Sequence, residues 1–517
     1  MVKKTIYKCD IAIIGGSMGG VAAALAALER GYNVILTETT DWLGGQMTSQ
    51  GVSAFDEHPP IETLGCTERY SELRQRIREV YQEKYNVHPV KNGQPLNPGN
   101  GWVSHLCFEP KVGVEVLEEM LGPHLKSGKL QIVYRYEPVK ARVKNNFVNE
   151  VTLQDNKKNS IVIRAKYFLD ATDLGDLLPL TKTEYITGAE AKADTGEPHA
   201  KEKARPDEVQ SFTFCFAVEY CPGEKHTIKK PKNYEHFRDT QPYSLTLDAN
   251  TEPRHFKMFR EGSKGTLPFW TYRRIFDAKL FKSSEQPDDI ALINWASNDY
   301  RFANLIDKSE QEQKRILREA KNLSLGFLYW LQTECPRDDG GVGYPEFKLR
   351  KDIMGTKDGL SKAPYIRESR RIKALERILE QDITQSGQRK KAKAYKNSVG
   401  IGWYQMDLHS CVGNDDVSMF EPTLPFQIPL GALIPVKTKN LLPACKNIGT
   451  THLTNGAYRL HPIEWAIGEA AGTLATFCLG HETTPVQVWK SKELTKALQR
   501  LLKKQGVPLE WKSLESA

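Results

Sequence analysis

The pattern of apolar and polar positions along the first forty residues predicts a strand, a helix and a second strand. Ile11-Ala12-Ile13-Ile14 is a short β-rich run of the kind buried in a parallel sheet. Gly15-Gly16-Ser17-Met18-Gly19-Gly20 follows, then an alanine-rich helical stretch from Val21 to Arg30, stopped by Gly31. Val34 to Leu36 is the next strand and runs out at Glu38. Residues 5 to 38 therefore read as one βαβ unit. Further on, Leu130 to Ala141 and Phe147 to Leu153 read as strands joined by a polar turn. Ser211 to Val218 and Ile290 to Trp295 are also β-rich. Residues 61–85 and Ser309 to Gln332 carry helical periodicity. In the second, Ile316, Leu317, Ala320, Leu323, Leu328 and Trp330 form an apolar stripe suited to core contact.

The glycine spacing of the first unit has a chemical reason. Gly15 permits a tight strand-to-helix turn, and Gly20 lets helix and strand pack closely. The helix N-terminus points N–H groups and the positive end of its dipole at a diphosphate. Glu38, about 20 residues past Gly15, is placed to accept hydrogen bonds from a ribose. The middle position of the fingerprint, normally glycine, is Ser17, whose small hydroxyl fits and can itself donate to phosphate. Gly16, Met18 and Gly19 complete the turn.

The segment after Glu38 distinguishes between dinucleotides. Thr39-Thr40-Asp41-Trp42-Leu43-Gly44-Gly45-Gln46-Met47-Thr48-Ser49-Gln50-Gly51 resembles the loop of two-dinucleotide-fold flavoproteins, where paired glycines let the chain pass the ribityl chain and isoalloxazine. That resemblance implies FAD, with Thr39, Gly44, Gly45 and Gln46 among its contacts. The segment lacks the C-x-x-x-x-C of disulfide reductases. Lys166 to Leu177, with Asp170-Ala171-Thr172 ending an apolar run, resembles the returning strand of the same proteins, although Asp173 stands where they carry glycine. The likeness places Ala171 and Thr172 at the cofactor and has the strand containing Val139 present backbone to the adenine. Residues 440–479 are the most specific match. Pro462 sits at a favoured helix start, and Gly468, Ala471 and Gly472 are spaced for close approach to sheet or cofactor. A helix N-terminus aimed at the flavin pyrimidine edge stabilises the negative charge that reduction places there.

Pro364 to Ile372, Pro425 to Leu430 and the C-terminal stretch together resemble one family: bacterial FAD-dependent oxidoreductases of the fumarate reductase and succinate dehydrogenase-like superfamily. The likeness runs from Cys9 to about Leu479. It implies an α/β fold with a Rossmann-like, glutathione reductase-like three-layer FAD-binding domain and a discontinuous α+β substrate or cap domain. Residues 1–60, 105–205 and 437–490 are expected to form the FAD-binding part and 206–436 the cap. Residues 61–104 are a helical insertion whose loop 89–101 is suited to cover the site, and 491–517 a C-terminal helix and tail. Gly340-Gly341-Val342-Gly343 has neither a preceding strand nor a following helix, so no second nucleotide unit is expected.

Composition narrows the reading further. The chain has 517 residues, 39% of them hydrophobic, which supports a large core and excludes disorder as the main state. No run of about 18 apolar residues predicts a membrane span. The nine cysteines are scattered without a C-x-x-C, which fits a reducing compartment and no disulfide framework. Lys3 and Lys4 before an apolar stretch superficially copy a secretory signal, but Asp10 interrupts it, so a cytoplasmic protein is expected. The net charge of +8, from 72 basic and 64 acidic residues, is mild. The runs Lys229–Lys232 and Arg389–Lys396 read as solvated surface, and no nucleic-acid module is present.

FAD supplies the redox chemistry, leaving the protein to orient substrate, handle its proton and set the electrostatics. His461 and Arg459 precede the last helix: His461 is the candidate acid or base, and Arg459 the candidate partner of a substrate anion or of flavin charge. Tyr404 and His409 join them as catalytic candidates; Asp407 and His409 share a strand face and suggest an orienting pair. For any one histidine, a satisfied core or surface role accounts for it equally well. Arg367 and Arg371, if helical, clamp an anion; otherwise they tie segments together through acidic partners. Asp56, Glu57 and His58 are adjacent on a turn and do not converge, so no metal is assigned. The expected reaction is hydride transfer between a small organic substrate and flavin N5, with reoxidation by a separate acceptor or oxygen. The alternatives are a flavin-dependent monooxygenase and a flavoprotein acting on RNA. Oligomeric state is left open.

Overall fold

The computed structural model describes residues 5–89, 93–282, 287–385, 390–413 and 418–511. Lys3, Lys4, Arg389, residues 90–92 of the loop 89–101 and the tail from 512 lie outside the described residues.

The βαβ unit forms as its pattern requires: β1 (Thr5–Ile14), α1 (Met18–Leu28) and β2 (Val34–Glu38). Side chains of β1 alternate between faces. Ile11 and Ile13 join the core cluster that holds α1 and the helix His461–Gly480. Ala12 and Ile14 join a second cluster with Val151, Ile163, Leu177 and Leu178. Two further helices, α2 (Glu68–Lys84) and α3 (Pro110–Lys126), precede β3 (Leu130–Tyr134). Thr67 caps α2 by accepting from Tyr70 N–H, so the helix starts later than the periodicity over 61–85 suggests.

β3 pairs parallel with β2, and β4 (Glu137–Lys144), β5 (Phe147–Gln154) and β6 (Ser160–Asp170) follow. The sheet runs β3-β2-β1-β6-β5-β4, and the strand Leu441–Pro443 returns from far along the chain to pair parallel with β6. It is thus a mixed, Rossmann-like sheet. The single strand expected over Leu130 to Ala141 is two: Arg135, at φ +63°, breaks it, so β3 stays in the parallel layer and β4 starts an antiparallel hairpin.

The last helix, with Pro462 in its first turn, crosses α1 at backbone distance. A Cβ on Gly468 would lie 2.0 Å from Gly19 O, and one on Gly472 2.4 Å from Ala23 O. Gly468 and Gly472 are therefore helix-packing residues rather than cofactor contacts; side chains at either position would push α1 off the sheet.

A further apolar cluster draws on Phe216 and Val218 of the strand Phe216–Tyr220, Ala291 and Ile293 of the strand Ile290–Ile293, and Leu323, Phe327 and Leu331 of the helix Glu310–Thr333. Arg367 and Arg371 lie outside any helix. Arg367 pairs with Asp299 at 3.0 Å, and Arg371 with Glu190 at 3.1 Å and with Glu368. They tie segments together instead of clamping an anion. Among the described residues, no helix is long and apolar enough to cross a membrane.

Candidate active site

The turn after β1 is fixed from several sides. Gly15 has φ +103°, and a Cβ there would meet Ala171 O at 2.2 Å. Gly16 N–H donates to Glu38 Oε2 at 3.0 Å. Ser17 caps α1, its hydroxyl accepting from Gly20 N–H, while Gly19 N–H donates to Glu464 Oε1 at 3.1 Å. Met18 opens the helix and is buried. Thr40 N–H and the Thr39 hydroxyl donate to Glu38 Oε1. Burial pushes the Glu38 carboxyl up to about 7, although these donors pull it down.

Two other segments close on this turn. Gly44, at φ +107°, donates its N–H to Gly16 O at 2.7 Å, and the Cβ position of Gly45 is 2.9 Å from Ser17 Cα. Gln46 Nε2 then donates to the Glu464 carboxylate and to Arg459 O, the latter at 3.1 Å. From β6, Asp170 accepts from Thr172 N–H and hydroxyl and from Leu177 N–H, which shapes the loop carrying Ala171 and Thr172. Burial raises the Asp170 carboxyl to about 7. Ala444 N–H donates to Asp170 O at 2.8 Å and so joins the C-terminal segment. Val139 stands apart on β4, half-exposed, between Pro138 and Lys140 where the register with β5 shifts.

Several buried polar atoms along these segments have no hydrogen-bond partner: Gln46 Oε1, Gln50 Nε2, Ser53 Oγ, Asn447 Oδ1, Thr450 Oγ1 and Arg459 Nε. Each unsatisfied group costs about 1–3 kcal/mol. They come from the loop after Gly45 and the stretch leading to the last helix, and a polyhydroxylated, heterocyclic ligand between those stretches would satisfy them. The residues present fit FAD.

Beside this cradle lies a buried charged cluster. Arg459, which ends the short helix His452–Tyr458, donates to Tyr365 Oη at 2.7 Å, to Asp407 O at 3.0 Å and to Asp407 Oδ2 at 2.9 Å. Arg273 donates to Ala54 O and to Asp56 Oδ1. Burial would raise the Asp56 carboxyl, but the neighbouring positive charges, Arg273 foremost and Arg459 after it, together outweigh burial and hold it below its usual range. His409 Nδ1 lies 2.5 Å from Asp299 Oδ2, while its Nε2 is 3.6 Å from Asp407 Oδ1. The orienting acid of His409 is therefore chiefly Asp299 rather than Asp407. Asp299 pairs also with Arg367; against its burial, Arg367 and His409 keep it ionised. Burial, helped by Asp56 and Asp407, lifts the Tyr404 hydroxyl well above its ordinary range, so Tyr404 keeps its proton and can donate a hydrogen bond.

His461 does not fit the acid–base role expected of it. Its Nδ1 accepts from Asp56 N–H at 3.1 Å, and its Nε2 donates to Val52 O at 3.0 Å. Both nitrogens are spent on backbone, and burial lowers its pKa to about 4. The ring is a neutral strut holding residues 52–56 against the last helix. Nor do Asp56, Glu57 and His58 converge: they turn to Arg273, to Arg74 and Tyr70, and to Leu64 O respectively. Asp299 and Arg273 carry no sequence signal, and Tyr365 and Glu464 lie in family-like segments that give them no role, because each acquires its meaning from a partner distant in the chain.

A Rossmann-like sheet with this turn, loop and closing helix defines a dinucleotide-binding redox protein. The family model described as FAD dependent oxidoreductase matches residues 10–502; the chain belongs to that family, and its cofactor is FAD. No curated protein sequence matches the chain. Among solved structures it is similar to p-nitrophenol 4-monooxygenase PnpA from Pseudomonas putida DLL-E4, with 12% identity over 73% of this chain and 72% of that one, at a TM-score of 0.31. L-proline dehydrogenase from P. horikoshii matches at 18% identity over 36% of this chain, with a TM-score of 0.20. Mycobacterium smegmatis Sdh1 matches at 11% over 42%, with a TM-score of 0.22. The chain spans 25% of the proline dehydrogenase and 41% of Sdh1.

Proposed function

We propose that this FAD-dependent oxidoreductase oxidises or reduces a small organic substrate held between the cofactor and the cluster of Arg273, Tyr404, Asp407, His409 and Arg459. FAD held there would supply a hydride acceptor or donor for the substrate, with a separate acceptor or oxygen taking up the electrons when the substrate is oxidised. The observation that carries this reading is Gln46, which donates at once to Glu464 at the cradle and to Arg459 O at the charged cluster. This shared donor supports reading the two sites as one.

In this reading Gly15 to Gly20 face the diphosphate, Glu38 the ribose, and Thr39, Gly44, Gly45, Gln46, Ala171 and Thr172 line the remainder. The irregular register at Val139 supports a backbone contact to the adenine, because a bulged residue leaves its ladder groups free. His409, oriented by Asp299, moves the substrate proton. Tyr404 donates a hydrogen bond, and Arg459, immobilised by Tyr365 and Asp407, supplies a fixed positive charge. The chain divides into an FAD-binding part of 1–60, 105–205 and 437–490 and a substrate lobe of 206–436; the separate apolar cluster around the helix Glu310–Thr333 supports the latter.

The test is anaerobic mixing of the yellow holoprotein with panels of amines, alcohols, sugars and acids, following loss of flavin absorbance. Bleaching by one class, reversed by an added acceptor or by oxygen without oxygen appearing in the product, is the expected result. Reduction by NADPH alone followed by product oxygenation would replace this reading with monooxygenation. A protein that takes up no FAD would end both.

A further inference from the structure

Behind the charged cluster, three buried residues from three separate segments bring together a thiol, an imidazole and a carboxylate. The donor atoms of Glu208, Cys411 and His452 all lie within 4.8 Å of one another. Cys411 Sγ is 3.8 Å from His452 Nε2. Two ligands of a tetrahedral zinc ion, at about 2.3 Å for sulfur and about 2.0 Å for nitrogen, stand roughly 3.5 Å apart. The observed pair needs little adjustment to reach that separation.

The supports of these groups resemble those of a metal site. His452 Nδ1 faces Glu368, at 2.9 and 3.0 Å from its two oxygens, and Glu368 is itself held by Arg371. A carboxylate on the far nitrogen fixes the ring and leaves Nε2 as the ligand atom. The backbone of His452 is pinned as well, its N–H donating to Glu190 Oε2 at 2.9 Å. Glu208 and Cys411 sit on segments laced together by Ser211 N–H to Ser410 O and Val412 N–H to Val209 O. Gln210 N–H donates to Glu368 Oε2 and ties that pair to the histidine's support. Glu208 also meets Arg205 at 3.3 Å and Lys201 at 3.6 Å. A cavity of about 110 Å³, lined by all three residues and by His409, adjoins the cluster.

We propose that Glu208, Cys411 and His452 form a zinc-class metal site whose fourth position opens to this cavity. A mixed sulfur, nitrogen and oxygen set selects zinc over magnesium or calcium, which take oxygen ligands. Binding releases the Cys411 thiol proton and the His452 Nε2 proton to solvent, and the fourth position takes water or a small exogenous donor. Because His452 begins the short helix that ends at Arg459, the ion would brace the rear of the charged cluster. The proposal does not depend on the reading of substrate or reaction.

The test uses the full-length, FAD-loaded protein, stripped with chelator and re-equilibrated with zinc. A Cys221→Ser background removes a second cluster, Cys221, Glu224 and His226, on an exposed turn. Uptake of one equivalent is expected, with X-ray absorption showing one sulfur at about 2.3 Å and nitrogen or oxygen at about 2.0 Å. Cys411→Ser and Glu208→Gln, each checked for FAD content and circular dichroism, should each weaken zinc binding more than about tenfold. No uptake, a spectrum without sulfur, or unchanged affinity in both folded variants overturns the proposal.

Discussion

Gly468→Ala tests whether the last helix touches α1 through backbone. The added Cβ would fall 2.0 Å from Gly19 O and 2.6 Å from both Gly19 C and Gly19 Cα. A carbon resting against a carbonyl oxygen needs about 3.3 Å, so the helices must part by more than about 1 Å. Neither can retreat. The last helix is buried from His461 to Cys478, and a Cβ on Gly19 would itself sit 2.0 Å from Ala444 O. Overpacking of this kind costs about 3 kcal/mol, at the upper end because backbone meets backbone. Alanine recovers about 1 kcal/mol through helix propensity. The net loss is about 2 kcal/mol, and it falls on the turn proposed to face the diphosphate. It should weaken FAD binding roughly thirtyfold and lower the melting temperature. Fluorescence titration of apoprotein with FAD and thermal melts measure both. Gly480→Ala on the same helix is the control, since its Cβ meets only the side-chain hydroxyl of Tyr32, 3.2 Å away, and it should leave FAD binding unchanged and not lower the melting temperature. A Gly468→Ala protein that binds FAD and melts like wild type would show that the helices are not in backbone contact, and the packing argument would fail.

Glu38→Gln keeps the bulk but cannot accept on both oxygens from Gly16, Thr39 and Thr40; it should weaken FAD binding about tenfold in the same titration. His409→Gln should retain FAD with an unchanged absorbance spectrum and lower kcat on the substrate found by bleaching at least about a hundredfold; a fall in KM alone would refute its role in proton transfer. The His461 pKa near 4 lies below the unfolded value of about 6.5, so its stabilisation is complete above pH 6.5 and is lost as pH falls towards 4, about 3 kcal/mol in all. In melts from pH 8 to pH 4, the stability gap between wild type and His461→Gln should therefore narrow; a constant gap would contradict the neutral strut.

The elements built from local pattern were legible in the sequence. β1, α1 and β2 follow from an apolar run, a glycine turn and an alanine-rich stretch, and the last helix from Pro462. What failed to show is set by distant partners. Nothing at Arg135 marks a left-handed residue, since glycine or asparagine would be the usual choice there, so β3 and β4 read as one strand. His461 resembles a base because of its place before the helix. Its two nitrogens are claimed by Val52 O and Asp56 N–H, which no spacing rule connects to it. Gly468 and Gly472 read equally well as cofactor contacts until α1 is seen lying across them.

The two departures from the flavoprotein fingerprint have structural answers, which is why they do not weaken the cradle. Ser17 replaces the middle glycine and becomes the cap of α1, accepting from Gly20 N–H, a role worth a few tenths of a kcal/mol over glycine. Asp173, in place of glycine after Ala171-Thr172, receives the ammonium of Lys446 at 2.7 Å. The Lys446 side chain is 1% exposed, and burial works against its charge; Asp173, together with Glu464, outweighs burial and keeps it charged. Lys446 belongs to the segment that brings Ala444 to Asp170, so the pair stitches the returning strand to the C-terminal stretch at the edge of the cradle. Removing Asp173 alone would leave an uncompensated buried cation, costing more than the pair itself contributes. The aspartate at position 173 is intelligible only through Lys446, whose buried charge it faces across the cradle's edge.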